Sequence, residues 1–171
     1  MMPFDFSALQ NFFLETAPDL PPDLWWLPPA ALVFLLIAAA VDALRSYVPD
    51  ALIFFGLLFV TAMQGAFVSW PFAALHLAFA LCAAVAIWAL NQGWRMLFRR
   101  DAIGMGDAKF TMLAVSCFGA LPMLFAWGAG AILALLWIGC AHLAKRRIRH
   151  VHFAPFLFAG LCAALYWIRL A

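Results

Sequence analysis

The sequence predicts an all-α membrane protein with six transmembrane helices. Of its 171 residues, 68% are hydrophobic and only 11% are charged, which is more apolar side chain than a soluble domain of this size buries. A membrane-spanning helix needs about 20 apolar residues, so the length allows about six spans joined by short loops. We therefore expect one membrane domain over residues 24–171, preceded by an extracytoplasmic N-terminal segment, residues 1–23, that remains on the mature protein.

Apolar runs define the expected spans. In order, they cover residues 24–41, 51–68, 71–90, 105–121, 122–143 and 151–170. The fourth and fifth runs come from one uncharged stretch, residues 110–144, which is too long for a single span at about 1.5 Å per residue. Gly119 and Pro122 near its middle are typical of a turn. We therefore divide the stretch there into two spans.

The charged residues predict which side of the membrane each loop faces, because loops that stay in the cytoplasm carry the excess of Lys and Arg. The loops after spans one, three and five hold the basic residues Arg45, Arg95, Arg99, Arg100, Lys145, Arg146, Arg147 and Arg149. The N-terminal segment has no basic residue and holds the acidic residues Asp5, Glu15, Asp19 and Asp23. We therefore expect the three basic loops in the cytoplasm and both termini on the non-cytoplasmic side.

Composition and spacing argue against several classes of function. The net charge of +2 is too small to indicate nucleic-acid binding. The cysteines stand singly in apolar stretches, without the paired spacing of a zinc site or a disulfide framework. The histidines have no spacing that would gather them around a metal, and Gln64 and Asn91 suggest helix packing or a helix boundary. We therefore expect no metal and no cofactor, and membrane lipids around the helices.

Two aspartates at the ends of apolar runs are candidate functional residues. Asp42 follows span one, and Asp107 begins span four within Gly104-Met105-Gly106-Asp107-Ala108-Lys109. An ionisable residue in such a position costs about 2.5 to 3.5 kcal/mol on insertion scales and suggests a function. Because spans two and three lie between them, the chain returns to the same face. Both carboxylates are therefore expected at the cytoplasmic boundary of the membrane.

A pair of carboxylates at that boundary can perform acid–base chemistry. Two carboxylates that lie close together do not both ionise, so one is an acid while the other is a base. The base can take a proton from a water that attacks a peptide carbonyl, and the acid can donate a proton to the leaving amine. The helix dipole favours Asp107 as the base and leaves Asp42 as the acid. Gly104 and Gly106 would let backbone approach the substrate or adopt positive φ.

The same residues allow other interpretations. In a purely structural interpretation, Asp42 pairs with Arg45 one turn later. Asp107 then only caps span four beside Lys109. A small transporter would use both aspartates to carry protons or a cation, although the sequence has no evident inverted repeat. A non-catalytic scaffold of a secretion system would have no need of both aspartates on one face.

Three segments of the chain together resemble prepilin peptidases. Asp42 with Pro49 seven residues later resembles the first motif of that family, Gly104 to Lys109 resembles its GxGDxK motif, and residues 151–157 resemble its late PFGPFL-like stretch. The resemblance covers all six spans in order. It implies an intramembrane aspartic endopeptidase of the GxGD class with Asp42 and Asp107 as the catalytic pair. The supporting motif residues are Arg45, Pro49, Gly104, Gly106 and Lys109.

Departures from the family pattern refine this expectation. Asp50 stands where the family usually has Asn, and we expect Asp50 to be dispensable for the chemistry. Ala154 replaces the usual glycine of the late stretch. Longer members have a cytoplasmic segment with paired CxxC motifs linked to N-methylation, whereas residues 91–103 are too few and contain no cysteine. The chain resembles the short form of Flp or tight-adherence pilus systems. This form implies a multi-pass inner-membrane enzyme that removes the basic leader of pilin-like precursors without methyl transfer.

Overall fold

The described part of the chain is built from six α-helices. The computed structural model describes residues 22–99, 103–144 and 152–170. Most of the N-terminal segment, Arg100 and the basic cluster at 145–149 lie outside the described residues. After one 3-10 turn at Pro22–Leu24, the helices are α1 Leu27–Arg45, α2 Asp50–Phe67, α3 Trp70–Phe98, α4 Met105–Phe118, α5 Ala120–Leu143 and α6 Ala154–Leu170. The predicted all-α class is confirmed.

The predicted ends of three helices were wrong. Helix α1 continues past Val41 to Arg45, α3 continues past Leu90 to Phe98, and α6 begins at Ala154 instead of Val151. Backbone hydrogen bonds continue until a residue leaves the helical conformation, whatever the polarity of the side chains. Ser46 and Arg99 do so with φ of 56°, and each ends its helix as a left-handed C-cap.

The turn between α4 and α5 lies at Gly119, one of the two residues typical of a turn there, and about two residues before the predicted boundary at 121 and 122. Gly119 has a φ of +84°, in the region that favours glycine because a β-carbon is disfavoured there. It follows the last residue of α4 and precedes the first residue of α5. Pro122 lies in the first turn of α5, where a missing N–H is tolerated. The division of residues 110–144 into two helices is therefore confirmed.

Four of the described helices, namely α1, α2, α3 and α5, have the length and apolar composition needed to cross a membrane. Large apolar side chains are exposed along the outer faces of these helices; examples are Phe54, Phe55, Leu81, Val85, Leu135 and Leu136. Such extensive apolar exposure is unusual for a water-facing surface and is ordinary for one that contacts lipid. The structure therefore agrees with the predicted helical membrane protein.

Helix α4 is the central helix of the bundle. It has only 14 residues and contacts each of the other five described helices. Most of its residues are buried, polar ones such as Thr111 and Ser116 included, and Phe110, Leu113 and Ala114 are fully buried. The start of α4, which includes Asp107, is therefore surrounded by neighbouring helices.

Helices α5 and α6 approach each other closely at two glycines. A β-carbon on Gly130 would lie 2.9 Å from the carbonyl oxygen of Phe156, and one on Gly160 would overlap the backbone of Ala126. Small residues allow helix backbones to approach in this way. Helix α6 also packs against α1. Together these contacts bring the start of α6 next to the end of α1.

Candidate functional site

A polar cavity at one end of the bundle contains both aspartates. Its volume is about 390 Å³. Four stretches meet at this site cavity: the last turn of α1, the loop that follows it, the start of α4 and the residues just before α6. Besides Asp42 and Asp107, the lining residues are Ser46, Tyr47, Val48, Gly104, Met105, Gly106, Lys109, His152 and Phe153. The two aspartates that the sequence predicted on the same face of the membrane therefore line one cavity.

Asp42 lies within the last turn of α1, and its side chain is half-buried. The backbone N–H of Ala154 donates a hydrogen bond to its carboxylate, and the His152 imidazole is close enough to interact with it electrostatically. Ala154 is the first residue of α6, where N–H groups have no partner within the helix and the helix dipole is positive. The Asp42 carboxylate therefore accepts a hydrogen bond from the N-terminus of α6.

Asp107 is the third residue of α4 and is only 8% exposed. The backbone N–H of Gly104 donates to its carboxylate, in the manner of an acidic side chain that reaches back to the residue preceding its own helix. The Asp107 N–H in turn donates to the Gly104 carbonyl over 3.1 Å. The charge of Asp42 also acts on Asp107, so the two carboxylates repel each other when both are ionised.

The two glycines of the GxGD segment contact different parts of the site. A β-carbon on Gly104 would lie 3.0 Å from Oδ2 of Asp107, and one on Gly106 would lie 2.9 Å from a methyl carbon of Val48. Gly104 has a φ of −63°, and Gly106 lies within α4, so neither adopts the positive φ that was one of the two alternatives expected for these glycines. Gly104 leaves room for the carboxylate, and Gly106 lets the loop after α1 pack against α4.

Lys109 connects α4 to the start of α2. Its ammonium group forms an ion pair with Asp50, and Nζ lies 5.9 Å from the centroid of the Tyr47 ring. The Tyr47 hydroxyl accepts a hydrogen bond from the Asp50 N–H over 3.4 Å. Asp50 does not line the site cavity. Asp50, which stands where the resembled family usually has Asn, thus pairs with Lys109 of the GxGDxK segment. It does not lie between the two aspartates.

Arg45 and Pro49 flank the site without lining its cavity. Arg45 is the last residue of α1 and its side chain is exposed, in a position where a cation interacts favourably with the helix dipole. Pro49 precedes α2 in an extended conformation with φ of −64°, the value that the proline ring imposes. Both residues shape the loop that contains Tyr47 and Val48.

Asn91 fixes the backbone that leads into the GxGD segment. Its side chain is 4% exposed; Nδ2 donates to the Ile103 carbonyl over 2.8 Å, and Oδ1 accepts from the Ile103 N–H over 2.9 Å. One amide therefore satisfies both backbone groups of the residue before Gly104. The sequence indicated packing or a boundary for Asn91. The position of this amide side chain before the GxGD segment was the sequence feature that could have indicated its hydrogen bonds to Ile103.

His152 lies in the loop before α6, on the wall of the site cavity next to Phe153. Both residues belong to the late stretch that resembles the family motif. The resemblance of this late stretch to the family motif was the sequence feature from which a position of His152 near Asp42 could have been predicted. In the described part of the chain, no three His, Cys, Asp or Glu side chains are grouped so as to hold a metal ion.

The geometry suits proton transfer between two carboxyl groups and a bound water. The aspartates come from helices far apart in the chain, each accepts a backbone hydrogen bond, and both face one partly enclosed cavity. Such a pair can share one proton and act as acid and base in the same step. No protein-family model, curated protein or solved structure matches this chain.

Proposed function

We propose that the chain is a membrane-embedded aspartic endopeptidase of the prepilin-peptidase type. It removes the short basic leader from pilin-like precursors at the cytoplasmic face of the inner membrane. The observation that carries the proposal is the meeting of Asp42 and Asp107 in one cavity. Residues of all three segments that resemble the family line this cavity.

The proposed reaction is hydrolysis of one peptide bond. The ionised aspartate takes a proton from a water molecule, and the water oxygen forms a bond to the peptide carbonyl carbon. The protonated aspartate gives its proton to the developing oxyanion, which forms a tetrahedral intermediate with two hydroxyl groups. The aspartate that took the water proton then gives it to the leaving amine as the carbon–nitrogen bond breaks, while the other aspartate takes a proton back from one hydroxyl group. Each carboxyl group therefore ends in the protonation state in which it began. No metal or cofactor takes part.

Charge complementarity supports a basic leader as the substrate. Asp42 and Asp107 are acidic groups of the site cavity, and its Lys109 is already paired with Asp50. A precursor with a basic leader and an apolar helix would enter sideways from the lipid, and its leader would remain at the cytoplasmic face. The chain would not methylate its product, since residues 91–103 contain no cysteine pair.

The proposed topology has all six helices as spans, with both termini outside the cytoplasm. Helix α4, with 14 residues, would be about 21 Å long, which is shorter than the roughly 30 Å hydrocarbon core of a bilayer. Its neighbours α1, α2, α3 and α5 are longer. An enclosed short helix of this kind would leave a recess at its end. That recess would keep the aspartates near the boundary while water could reach them.

The test is cleavage of a precursor by the purified full chain in detergent micelles. The probe has a Lys-rich leader followed by an apolar helix, and the product is identified by mass spectrometry. We expect cleavage by the wild type and by Asp23→Asn, an exposed aspartate outside the site, and none by Asp42→Asn. Equal cleavage by Asp42→Asn would refute the aspartic mechanism. Absence of cleavage by the wild type would favour the transporter or scaffold.

A further inference from the structure

His152 belongs to the site cavity, yet the hydrolysis described above gives it no task. Its side chain is half-buried in the wall and interacts electrostatically with Asp42. The residue lies two positions before Ala154, whose N–H donates to the same carboxylate. Two groups that can stabilise a negative charge, the imidazole in its protonated form and the N-terminus of α6, therefore lie beside Asp42.

The surroundings of Asp107 differ. Asp107 also accepts a backbone hydrogen bond, from Gly104, and lies at the start of its own helix. Its side chain is only 8% exposed, whereas that of Asp42 is half-buried. Burial disfavours the charged form of a carboxylate. The nearby cation of the cavity, Lys109, pairs with Asp50, so Asp42 has the stronger electrostatic support of the two.

We infer that protonated His152 is a positioning residue that keeps Asp42 ionised, so that Asp42 is the general base and Asp107 the general acid. The inference rests on the proposed endopeptidase function. It reverses the assignment made from the sequence, in which the dipole of α4 favoured Asp107 as the base and left Asp42 as the acid. In this order, the Asp42 carboxylate takes a proton from the attacking water while the Asp107 carboxylic acid protonates the oxyanion. Asp42 then gives that proton to the leaving amine, and Asp107 regains one from a hydroxyl group of the tetrahedral intermediate. The imidazole neither gains nor loses a proton during the step.

Other titratable groups face the same cavity. Asp42 comes from α1, Tyr47 from the loop after it, and Asp107 and Lys109 from α4, with Asp50 of α2 paired to Lys109. None of them is altered by a change at position 152. These groups are therefore the same in all variants at that position, and differences between such variants report on the charge at 152, including its effect on Asp42.

The experiment compares two variants. His152→Gln has an uncharged side chain, and His152→Lys has one that stays charged to a higher pH than a histidine side chain does. The matched control is His142→Gln, an exposed histidine outside the cavity. Cleavage of the Lys-rich precursor is measured from pH 5 to 10 for the full chain in micelles. We expect His152→Gln to lower kcat by about tenfold with KM changed less than about twofold, because the base loses support that it needs for proton transfer.

The charged variant separates electrostatics from packing. We expect His152→Lys to recover kcat to within about threefold of the wild type. A lysine side chain stays charged to a higher pH than a histidine side chain does. His152→Lys should therefore remain active at a higher pH than the wild type. His142→Gln should match the wild type throughout.

The possible results distinguish this inference from the proposed function. No cleavage by the wild type contradicts the endopeptidase itself. Cleavage that requires both aspartates but is unchanged in kcat and pH profile by His152→Gln overturns the role of His152 alone. If His152→Gln does not accumulate, the pH profile of His152→Lys is the test of the inference. The inference then stands if the alkaline decline moves to higher pH and fails if the profile is that of the wild type.

Discussion

Gly106 lies directly against Val48, so that a β-carbon on the glycine would be 2.9 Å from a valine methyl carbon. This contact joins the second residue of α4 to the loop that follows Asp42. Val48 is 2% exposed, so it has little free space in which to move. The segments of the two aspartates therefore pack through a contact between Gly106 and the side chain of Val48.

Gly106→Ala should reduce cleavage at least about tenfold, because the added methyl group pushes the Val48 loop away from α4 and small displacements of catalytic groups are costly. The matched control is Gly139→Ala, where a β-carbon meets no atom within 4 Å. Initial rates at equal protein concentration measure the effect. A Gly106→Ala enzyme as active as the Gly139→Ala enzyme would contradict the proposed role of this contact.

Asp42→Asn and Asp107→Asn should each abolish cleavage, and the double variant should be no worse than either single variant. Acid and base act in the same bond-breaking step, so removal of one leaves the other without a function. Asn is nearly isosteric with Asp, so all three variants should insert and accumulate, as checked by immunoblot. Losses that multiply in the double variant would indicate independent roles.

Asp50→Asn should leave cleavage largely intact. The Asn carbonyl can still accept a hydrogen bond from Lys109, and Asp50 lies outside the site cavity. A partly exposed ion pair typically contributes less than about 1 kcal/mol, so thermal stability in micelles should change little as well. A loss equal to that of Asp42→Asn would move the reacting centre to the Pro49 loop.

Asn91→Leu should lower both thermal stability and activity. The substitution removes both hydrogen bonds to Ile103, and each buried backbone group left without a partner costs about 1 to 3 kcal/mol. Asn91→Asp keeps the acceptor for the Ile103 N–H and should be intermediate in thermal shift. Gln92→Leu, a change at the neighbouring amide, serves as the control. A stable and active Asn91→Leu enzyme would show that this contact does not position the GxGD segment.

Reporter fusions should place Phe4 outside, Arg99 inside, residues 145–149 inside and the C-terminus outside. Arg99 is the chosen position because α3 extends to Phe98, so that an insertion further upstream, for example at Gln92, would interrupt a helix. Paired periplasmic and cytoplasmic reporters at each site provide the measurement. A cytoplasmic C-terminus would contradict the six-span topology and the common face of the aspartates.

Local features of the sequence were sufficient to predict the helical bundle and its two principal aspartates. Apolar runs, the uncharged stretch broken at Gly119, and acidic residues at the ends of runs are each visible within about 20 residues, which is the length of one span. The same locality explains why the predicted ends of α1 and α3 were wrong. Hydropathy falls at the first polar residues, whereas the helix continues until Ser46 or Arg99 adopts a left-handed conformation.

Only the tertiary structure decided which residues support the aspartates. Asn91 reaches Ile103, Lys109 reaches Asp50 on another helix, and His152 reaches Asp42 from the opposite end of the chain. Composition and spacing carry no information on which distant segments meet, because that choice follows from how the helices pack. The sequence by itself determined that two carboxylates sit at helix ends. Packing of α1, α4 and α6 determined that they share one cavity, with an imidazole and the N-terminus of a helix facing one of them.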